Sequence, residues 1–134
     1  MSCHYLSKFI SSVNQASKRN SIYAVVDHSV LNVELTKVLF RNGFLTHYAV
    51  FSSQHSDVKK YIRLYFKQTE SSNPIKSIQQ ISKPGRRIYI TNNNIFQQFG
   101  KFHLCLVSTS MGIYTLNELR QIGVGGELLA SIEC

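Results

Sequence analysis

The sequence predicts an α/β protein of the α+β type, divided into two small subdomains. Segments with apolar residues at helical spacing alternate with segments whose apolar residues recur at every second position. Near the middle of the chain, a polar stretch with a proline at residues 69–74 interrupts both patterns and predicts a boundary near residue 72. The chain has 134 residues, 43% of them hydrophobic, which suffices for a compact core.

The N-terminal subdomain, residues 1–72, is predicted to follow the order α-β-α-β-β. Residues 6–16 form the first amphipathic helix, because four apolar side chains recur there at helical intervals: Leu6, Phe9, Ile10 and Val13. A β-branched run at residues 22–26 predicts a strand, and residues 30–43 predict a second helix that stops at Gly43.

Two paired strands complete this subdomain, at residues 44–52 and 59–67. In the second of them, two sets of side chains alternate at period two. The first set is Ile62, Leu64 and Phe66, and the intervening set is Tyr61, Arg63, Tyr65 and Lys67. We therefore expect one apolar face and one face that is basic and aromatic.

The C-terminal subdomain, residues 73–134, is predicted to be mostly β with short helices. Spaced isoleucines lead to the turn dipeptide Pro84-Gly85, and residues 88–90 return as a strand. We therefore expect a hairpin whose tip carries Lys83, Arg86 and Arg87, the basic tip. Thr115 and Glu118 have the spacing of a capping box, opening a helix that ends before Gly123. Other predicted elements are a helical piece at 95–99 and strands at 103–107 and 128–132.

An excess of basic residues favours a polyanionic partner. Lys and Arg number 15 against 7 Asp and Glu, which gives a formal net charge of +8 and a pI of about 9.6. No stretch reaches the roughly 18 consecutive apolar residues of a membrane span, and the N-terminus lacks the apolar core of a secretory signal. We therefore expect a soluble intracellular protein with no membrane partner.

Side chains with catalytic or metal-binding chemistry are few and scattered. None of the seven carboxylates falls near another as in an acid/base pair, and no two of the five histidines show i, i+4 spacing. The three cysteines lack Cys-x-x-Cys spacing, so we expect reduced thiols, with Cys105 in a core strand. The sequence thus predicts no catalytic residues, no metal, no cofactor and no small-molecule substrate.

Three consecutive hydroxyls, on Ser108, Thr109 and Ser110, stand at the end of an apolar strand. Hydroxyls at such a turn suit sugar hydroxyls, phosphates and base edges. An ordinary Ser/Thr turn is the alternative, and spacing alone favours it. Tyr89 has two interpretations as well, a half-buried strand residue or a platform for a sugar or base, and the nearby Arg86 and Arg87 give the second the same weight as the first.

A glycine-rich run at residues 123–127 resembles a phosphate loop at first sight. It lacks the Gly-Lys-Ser/Thr ending, and it enters a strand instead of opening a helix. We interpret Gly125 and Gly126 as a flexible turn that lets the backbone or Glu127 approach a partner.

Three blocks in order, residues 81–89, 107–112 and 123–127, resemble the signature blocks of the bacterial-type ribosomal protein S8 family. The resemblance extends more weakly over nearly all of the chain. It implies two small α/β subdomains and direct binding to a stem with an irregular internal loop in the central domain of small-subunit RNA. It also implies neighbouring small-subunit proteins as partners.

Carried over residue by residue, the hydroxyl turn formed by Ser108, Thr109 and Ser110 would contact the minor groove and the distorted core of the stem. Tyr89 would contact the backbone or a base, Glu127 would support that surface, and the basic tip would hold phosphates. The resemblance thus implies an RNA-binding surface formed by Lys83, Arg86, Arg87, Tyr89, Ser108, Thr109, Ser110, Gly125, Gly126 and Glu127.

Two departures from the family pattern remove positive charge. Met111 stands where the family usually has lysine, and Ser12-Val13-Asn14 replaces a basic Arg-Ile-Arg in the first helix. We hypothesise weaker autonomous RNA binding, compensated by neighbouring proteins.

Two further questions concern role and compartment. The alternative role is a regulatory RNA-binding protein that represses its own messenger RNA, and a nucleic-acid enzyme would need a carboxylate cluster or metal site.

Phe, Tyr, Met, Ile, Asn and Lys far outnumber Gly, Ala, Arg and Pro, which is typical of an AT-rich genome. We expect a mitochondrial ribosome, with no targeting extension before Leu6; a plastid or a bacterial cytoplasm is the alternative.

Overall fold

The computed structural model describes residues 3–53, 56–68, 73–91 and 104–133. Its contacts divide the chain into two compact units, Met1–Lys76 and Ser77–Cys134. Both units combine helices with antiparallel sheet, so the predicted α+β class is confirmed. The boundary expected near residue 72 stays a prediction, because residues 69–72 lie outside the described ranges.

The N-terminal unit contains the predicted α-β-α-β-β order. Its elements are α1 (Cys3–Lys18), β1 (Tyr23–Asp27), α2 (Val30–Arg41), β2 (Leu45–Ser53) and β3 (Ser56–Phe66). The strands form an antiparallel sheet in the order β1-β3-β2, so the long strand β3 is central. The predicted pairing of the last two strands is confirmed.

Local side chains explain where α2 begins and ends. The hydroxyl of Ser29 accepts a hydrogen bond from the backbone N–H of Asn32 at 3.1 Å, which satisfies one free donor of the first turn. Gly43 follows the helix with φ +83°, a left-handed conformation that other residues adopt at a cost. The predicted stop at Gly43 is therefore confirmed.

The core of this unit lies between the helices and one face of the sheet. Most of the fully buried apolar side chains come from both helices and from β3, among them Leu6, Phe9, Val13, Leu35, Leu39, Ile62 and Leu64. Each buried leucine or phenylalanine contributes roughly 1.5–3 kcal/mol through the removal of apolar surface from water. In β3, the residues between these buried positions point to the opposite face, as the alternation predicted.

The C-terminal unit is a five-stranded sheet with one short helix among its described residues. Its strands are β4 (Ser77–Gln80), β5 (Tyr89–Ile90), β6 (Leu104–Thr109), β7 (Gly112–Thr115) and β8 (Gly126–Glu133), and the helix is α3 (Leu116–Ile122). The order is β4-β8-β6-β7, and β5 also pairs with β8. The helical piece predicted at 95–99 and the strand start predicted at residue 103 lie outside the described residues.

The hairpin predicted around Pro84-Gly85 is wrong in its pairing. β4 and β5 do not pair with each other; both pair antiparallel with β8. What remains of the hairpin is a tight turn, in which Lys83 and Arg86 exchange backbone hydrogen bonds of 3.1 and 2.9 Å. The two flanking segments separate after this turn, and each pairs with β8 instead.

Two sequence signals in α3 are confirmed in detail. The Thr115 hydroxyl accepts from the backbone N–H of Glu118 at 3.3 Å, and the Glu118 carboxylate accepts from the backbone N–H of Thr115 at 3.3 Å. Gly123 ends the helix in the left-handed conformation, with φ +78°. The apolar face of α3 packs on a cluster formed by Ile90, Cys105, Val107, Leu116, Leu119 and Leu128.

No helix in the described part of the chain has both the length and the apolar character needed to cross a membrane.

Candidate nucleic-acid interface

Three of the predicted site residues lie side by side across the C-terminal sheet. Glu127 in β8 is directly opposite Tyr89 in β5 on one side and opposite Ser108 in β6 on the other. Residues that oppose each other in antiparallel strands point to the same face of the sheet. Their positions therefore form a continuous row, the Tyr89-Glu127-Ser108 row, in which the Tyr89 side chain is 64% exposed.

The row depends on the two glycines that precede Glu127. A Cβ atom on Gly126 would lie 2.2 Å from the carbonyl oxygen of Ser108, and one on Gly125 would lie 2.4 Å from the carbonyl oxygen of Ile90. Both distances are far shorter than van der Waals contact, so a larger residue would push the strands apart. The close approach that these glycines permit is to their own sheet, and it sets the position of Glu127.

The hydroxyl turn divides into structural and free groups. The Thr109 hydroxyl donates to the carbonyl oxygen of Gly112 at 2.8 Å and accepts from the backbone N–H of Met111 at 3.1 Å. It therefore closes the β6-β7 hairpin, as the ordinary-turn interpretation predicted for this residue. Ser108 lies in the row and Ser110 is exposed at the tip, so these two hydroxyls are better placed to contact a ligand.

The turn that carries Lys83, Arg86 and Arg87, here called the basic turn, is held in place by a buried serine. The Ser82 hydroxyl donates to the carbonyl oxygen of Leu128 in β8 at 2.7 Å and accepts from the backbone N–H of Ile88 at 3.0 Å, so it joins the two ends of the turn to each other and to β8. Between these ties, Gly85 adopts φ +83° behind Pro84, as in a type II turn.

The cations of this turn are presented to solvent. Lys83, Arg86 and Arg87 are exposed, and within the described residues none of them has a carboxylate partner. Arg87 lies two residues before Tyr89, so the basic turn leads directly into the Tyr89-Glu127-Ser108 row. An unpaired cation beside a polar surface can bind a phosphate without first breaking an ion pair.

Sequence reasoning missed Ser82. It is fully buried and organises the turn through the two hydrogen bonds described above. The available signal was a polar residue between Ile81 and the turn, inside an otherwise apolar segment. That signal indicates a buried hydrogen bond but does not identify β8 as the partner strand.

The sheet beneath the site is apolar and buried. Cys105 lies in β6 with its side chain fully buried, and this burial raises the pKa of its thiol to about 11. In the described parts of the chain, no three His, Cys, Asp or Glu side chains gather where a metal ion could be held. The site thus offers hydroxyls, one carboxylate, one tyrosine and three cations on a rigid sheet, groups that recognise sugars, bases and phosphates.

Comparison with known proteins gives consistent matches over almost the whole chain. The family model described as ribosomal protein S8 matches residues 4–132. Small ribosomal subunit protein uS8 of Dictyoglomus thermophilum is 33% identical over 120 residues, covering 90% of this chain and 89% of the relative. The uS8 proteins of Protochlamydia amoebophila and Chlamydia abortus are 34% and 29% identical over 125 and 133 residues, covering 92% and 98% of each chain.

The basic α+β fold and these matches define a protein of the small ribosomal subunit. The three sequence blocks that carried the resemblance occupy the basic turn, the β6-β7 hairpin and the start of β8. The chain belongs to the ribosomal protein S8 family, and the expected family membership is confirmed.

Proposed function

We propose that this chain is a non-catalytic structural constituent of the small ribosomal subunit that binds a stem in the central domain of its ribosomal RNA. Family membership supports the ribosomal role. The observation that carries the binding site is the Tyr89-Glu127-Ser108 row, which brings together residues from three separate strands. In this proposal the protein holds the stem in one conformation and so helps the domain assemble.

Each group in the site has a distinct role in the proposal. Ser108 and Ser110 exchange hydrogen bonds with sugar hydroxyls and base edges in the minor groove, which is the groove of an RNA helix that side chains can reach. Tyr89 packs on a sugar or base, and Glu127 accepts hydrogen bonds from hydroxyls or amino groups beside it. Gly125, Gly126 and Thr109 hold the surface in shape.

The basic turn supplies the electrostatic part of the binding energy. Lys83, Arg86 and Arg87 neutralise phosphates next to the row, and each such contact releases condensed counterions. This contribution weakens as the salt concentration rises, whereas the contacts of Ser108 and Tyr89 are much less sensitive to salt.

The test is a binding titration of the full-length protein with the isolated stem. Arg87→Gln should weaken binding and flatten the slope of log affinity against log salt by about 0.7–0.9. Lys37→Gln removes the same charge from the exposed side of α2 and serves as the matched control. Equal slopes for the two variants would contradict the proposed phosphate contact.

We also propose that the ribosome in question is mitochondrial, on the basis of the AT-rich amino-acid composition. The test is sedimentation of the native protein from fractionated organelles through a high-salt gradient. Residence in the small-subunit peak of the mitochondrial fraction is the expected result. A mainly free protein would instead favour the regulatory role, and recovery from another fraction would contradict the compartment.

A further inference from the structure

The sheet of the N-terminal unit has a second face that the site above does not use. In β3, Ile62, Leu64 and Phe66 are buried toward the helices, so Tyr61, Arg63 and Tyr65 point away from them. We call this side the aromatic face and define it by these three residues with their cross-strand partners Tyr23, His47 and Phe51.

The aromatic rings of this face are arranged in two rows across the strands. Tyr65 is flanked by His47, stacked at 4.1 Å between ring centroids with an interplanar angle of 17°, and by Tyr23 at 6.2 Å. Tyr61 is flanked by Phe51, stacked at 5.6 Å with an angle of 27°. Tyr23 is 42% exposed and His47 is exposed, so the row around Tyr65 is open to solvent, whereas Tyr61 and Phe51 in the other row are half-buried.

A guanidinium group lies between the two rows. Its central carbon, Arg63 Cζ, is 5.1 Å from the ring centroid of Tyr23 and 4.9 Å from that of Phe51. One terminal nitrogen donates to the Tyr65 hydroxyl at 3.4 Å, and this hydrogen bond raises the pKa of Arg63 above its ordinary value. The charge is therefore permanent, and the side chain is held in place by the rings around it.

A second cation lies at the end of the same face. Lys59 Nζ is 5.6 Å from the ring centroid of Tyr61. Among the side chains that the structure describes, Asp27 is the one carboxylate on this face, because the register places it opposite Tyr61. The face thus combines stacked rings with an excess of positive charge, in a chain whose net charge is +8.

We propose that the aromatic face binds unpaired RNA bases, as a second RNA contact separate from the C-terminal site. The exposed rings of Tyr23 and His47, on either side of Tyr65, give bases a surface on which to stack, and the guanidinium plane of Arg63 extends it. Lys59 and Arg63 meet the phosphates that accompany those bases. Aromatic residues and arginine also occur at protein interfaces, but lysine is depleted there, and the net charge of +8 favours a polyanionic partner.

The experiment measures binding of the full-length protein to a labelled single-stranded uridine decamer by fluorescence anisotropy. Tyr23→Leu should weaken binding about five-fold or more, since loss of one base stack has effects of this size. Tyr48→Leu is the matched control, because Tyr48 lies opposite Leu64 and so on the helix side of the same sheet. Thermal unfolding of both variants shows that each is folded at the assay temperature.

A second test compares two lysine variants and does not depend on aromatic packing. Lys59→Gln should flatten the log-log salt slope for the decamer by about 0.7. Lys60→Gln removes the same charge from the next residue of β3, which is exposed and points to the opposite face, so it should leave the slope unchanged.

The stem of the C-terminal site distinguishes this proposal from the function proposed above. The aromatic-face variants should keep their affinity for the stem, and Arg87→Gln should keep most of its affinity for the decamer. If Tyr23→Leu and Lys59→Gln bind the decamer like their controls, the proposal is wrong. If they do so but associate less with assembled small subunits, the face contacts a protein and the RNA proposal is equally overturned.

Discussion

Gly126 shows how a residue without a side chain can determine a binding surface. Its φ is not in the left-handed region, so backbone freedom is not the reason for glycine here. The reason is space, because a Cβ atom would lie 2.2 Å from a backbone oxygen of β6 that cannot rotate away. The glycine run was noticed in the sequence as a flexible turn, and the structure assigns it the opposite property of tight packing.

Gly126→Ala should therefore lower both stability and stem affinity. Strand separation of this kind costs about 1–3 kcal/mol in the free energy of unfolding, measured by urea denaturation. Gly43→Ala is the control: its Cβ would meet nothing within 4 Å, so its cost, about 1–2 kcal/mol, comes from its positive φ alone, and it lies in the N-terminal unit. Stem affinity that survives in Gly126→Ala would show that the row does not position the ligand.

Cys105 makes a prediction about alkaline pH. Its pKa is raised from 9.0 to about 11 in the folded protein. Between these values the unfolded state loses the thiol proton and the folded state keeps it. The contribution of the protonated thiol to the free energy of unfolding is therefore fully present below pH 9 and is lost as the pH rises toward 11. The loss amounts to about 2–3 kcal/mol.

The measurement compares the free energy of unfolding at pH 8 and pH 11 for the native chain and for Cys105→Ala. The two proteins differ only at residue 105, so any difference between their losses of stability comes from the buried thiol. The native chain should therefore lose more stability than the variant over this interval. Equal losses would show that the thiol is accessible to water.

Met111 occupies the tip of the β6-β7 hairpin, 55% exposed, at the position where the family pattern has lysine. Met111→Lys should strengthen binding to the isolated stem and steepen the log-log salt slope by about 0.7–0.9. Val30→Lys adds the same charge at an exposed position on α2 and should change neither quantity. A stem affinity of the unaltered protein already typical of the family would contradict the hypothesis of compensation by neighbouring proteins.

At the scale of elements, α3 is the one most fully predicted from sequence. Thr115, Glu118 and Gly123 gave its beginning and end because capping depends on residues a few positions apart. The alternation in β3 likewise gave both faces of the N-terminal sheet. It could not show that Arg63 lies between Tyr23 and Phe51, because those rings come from two other strands.

Thr115→Ala tests the capping box. Loss of the hydroxyl should cost about 1 kcal/mol in the free energy of unfolding and loosen α3 over the cluster beneath the site. Thr115→Ser keeps the hydroxyl and loses only the buried methyl group, so the difference between the two variants isolates the cap. No difference in their denaturation midpoints would mean that packing alone holds α3.

Strand pairing was the main failure of prediction at this scale. The segments on either side of Pro84-Gly85 have the pattern of a hairpin, and a hairpin is the local solution. The structure uses a distant strand instead, since β8 carries backbone groups that satisfy both segments. The nearness of Tyr89, Glu127 and Ser108 follows from that pairing, so the sequence suggested it only through the family resemblance.

At the scale of the whole molecule, net charge and local charge have different consequences. The formal net charge of the chain is +8, but only three cations, Lys83, Arg86 and Arg87, adjoin the proposed stem site among the described residues. We predict a log-log salt slope of about −2 to −3 for the stem, as expected for three phosphate contacts. The triple variant Lys83→Gln, Arg86→Gln, Arg87→Gln should reduce the slope to near zero. A much steeper slope that survives in this variant would mean that the wider basic surface binds the stem.

The position of β8 in the chain also bears on biosynthesis. This strand joins β4, β5 and β6, and all three precede it in the sequence. A nascent chain therefore contains the tyrosine and the serine of the site well before the strand that aligns them has left the translating ribosome. The proposed stem-binding surface can therefore form only after the N-terminal unit and these three strands have been synthesised, so we expect a nascent chain that lacks β8 not to compete with complete copies for the same RNA.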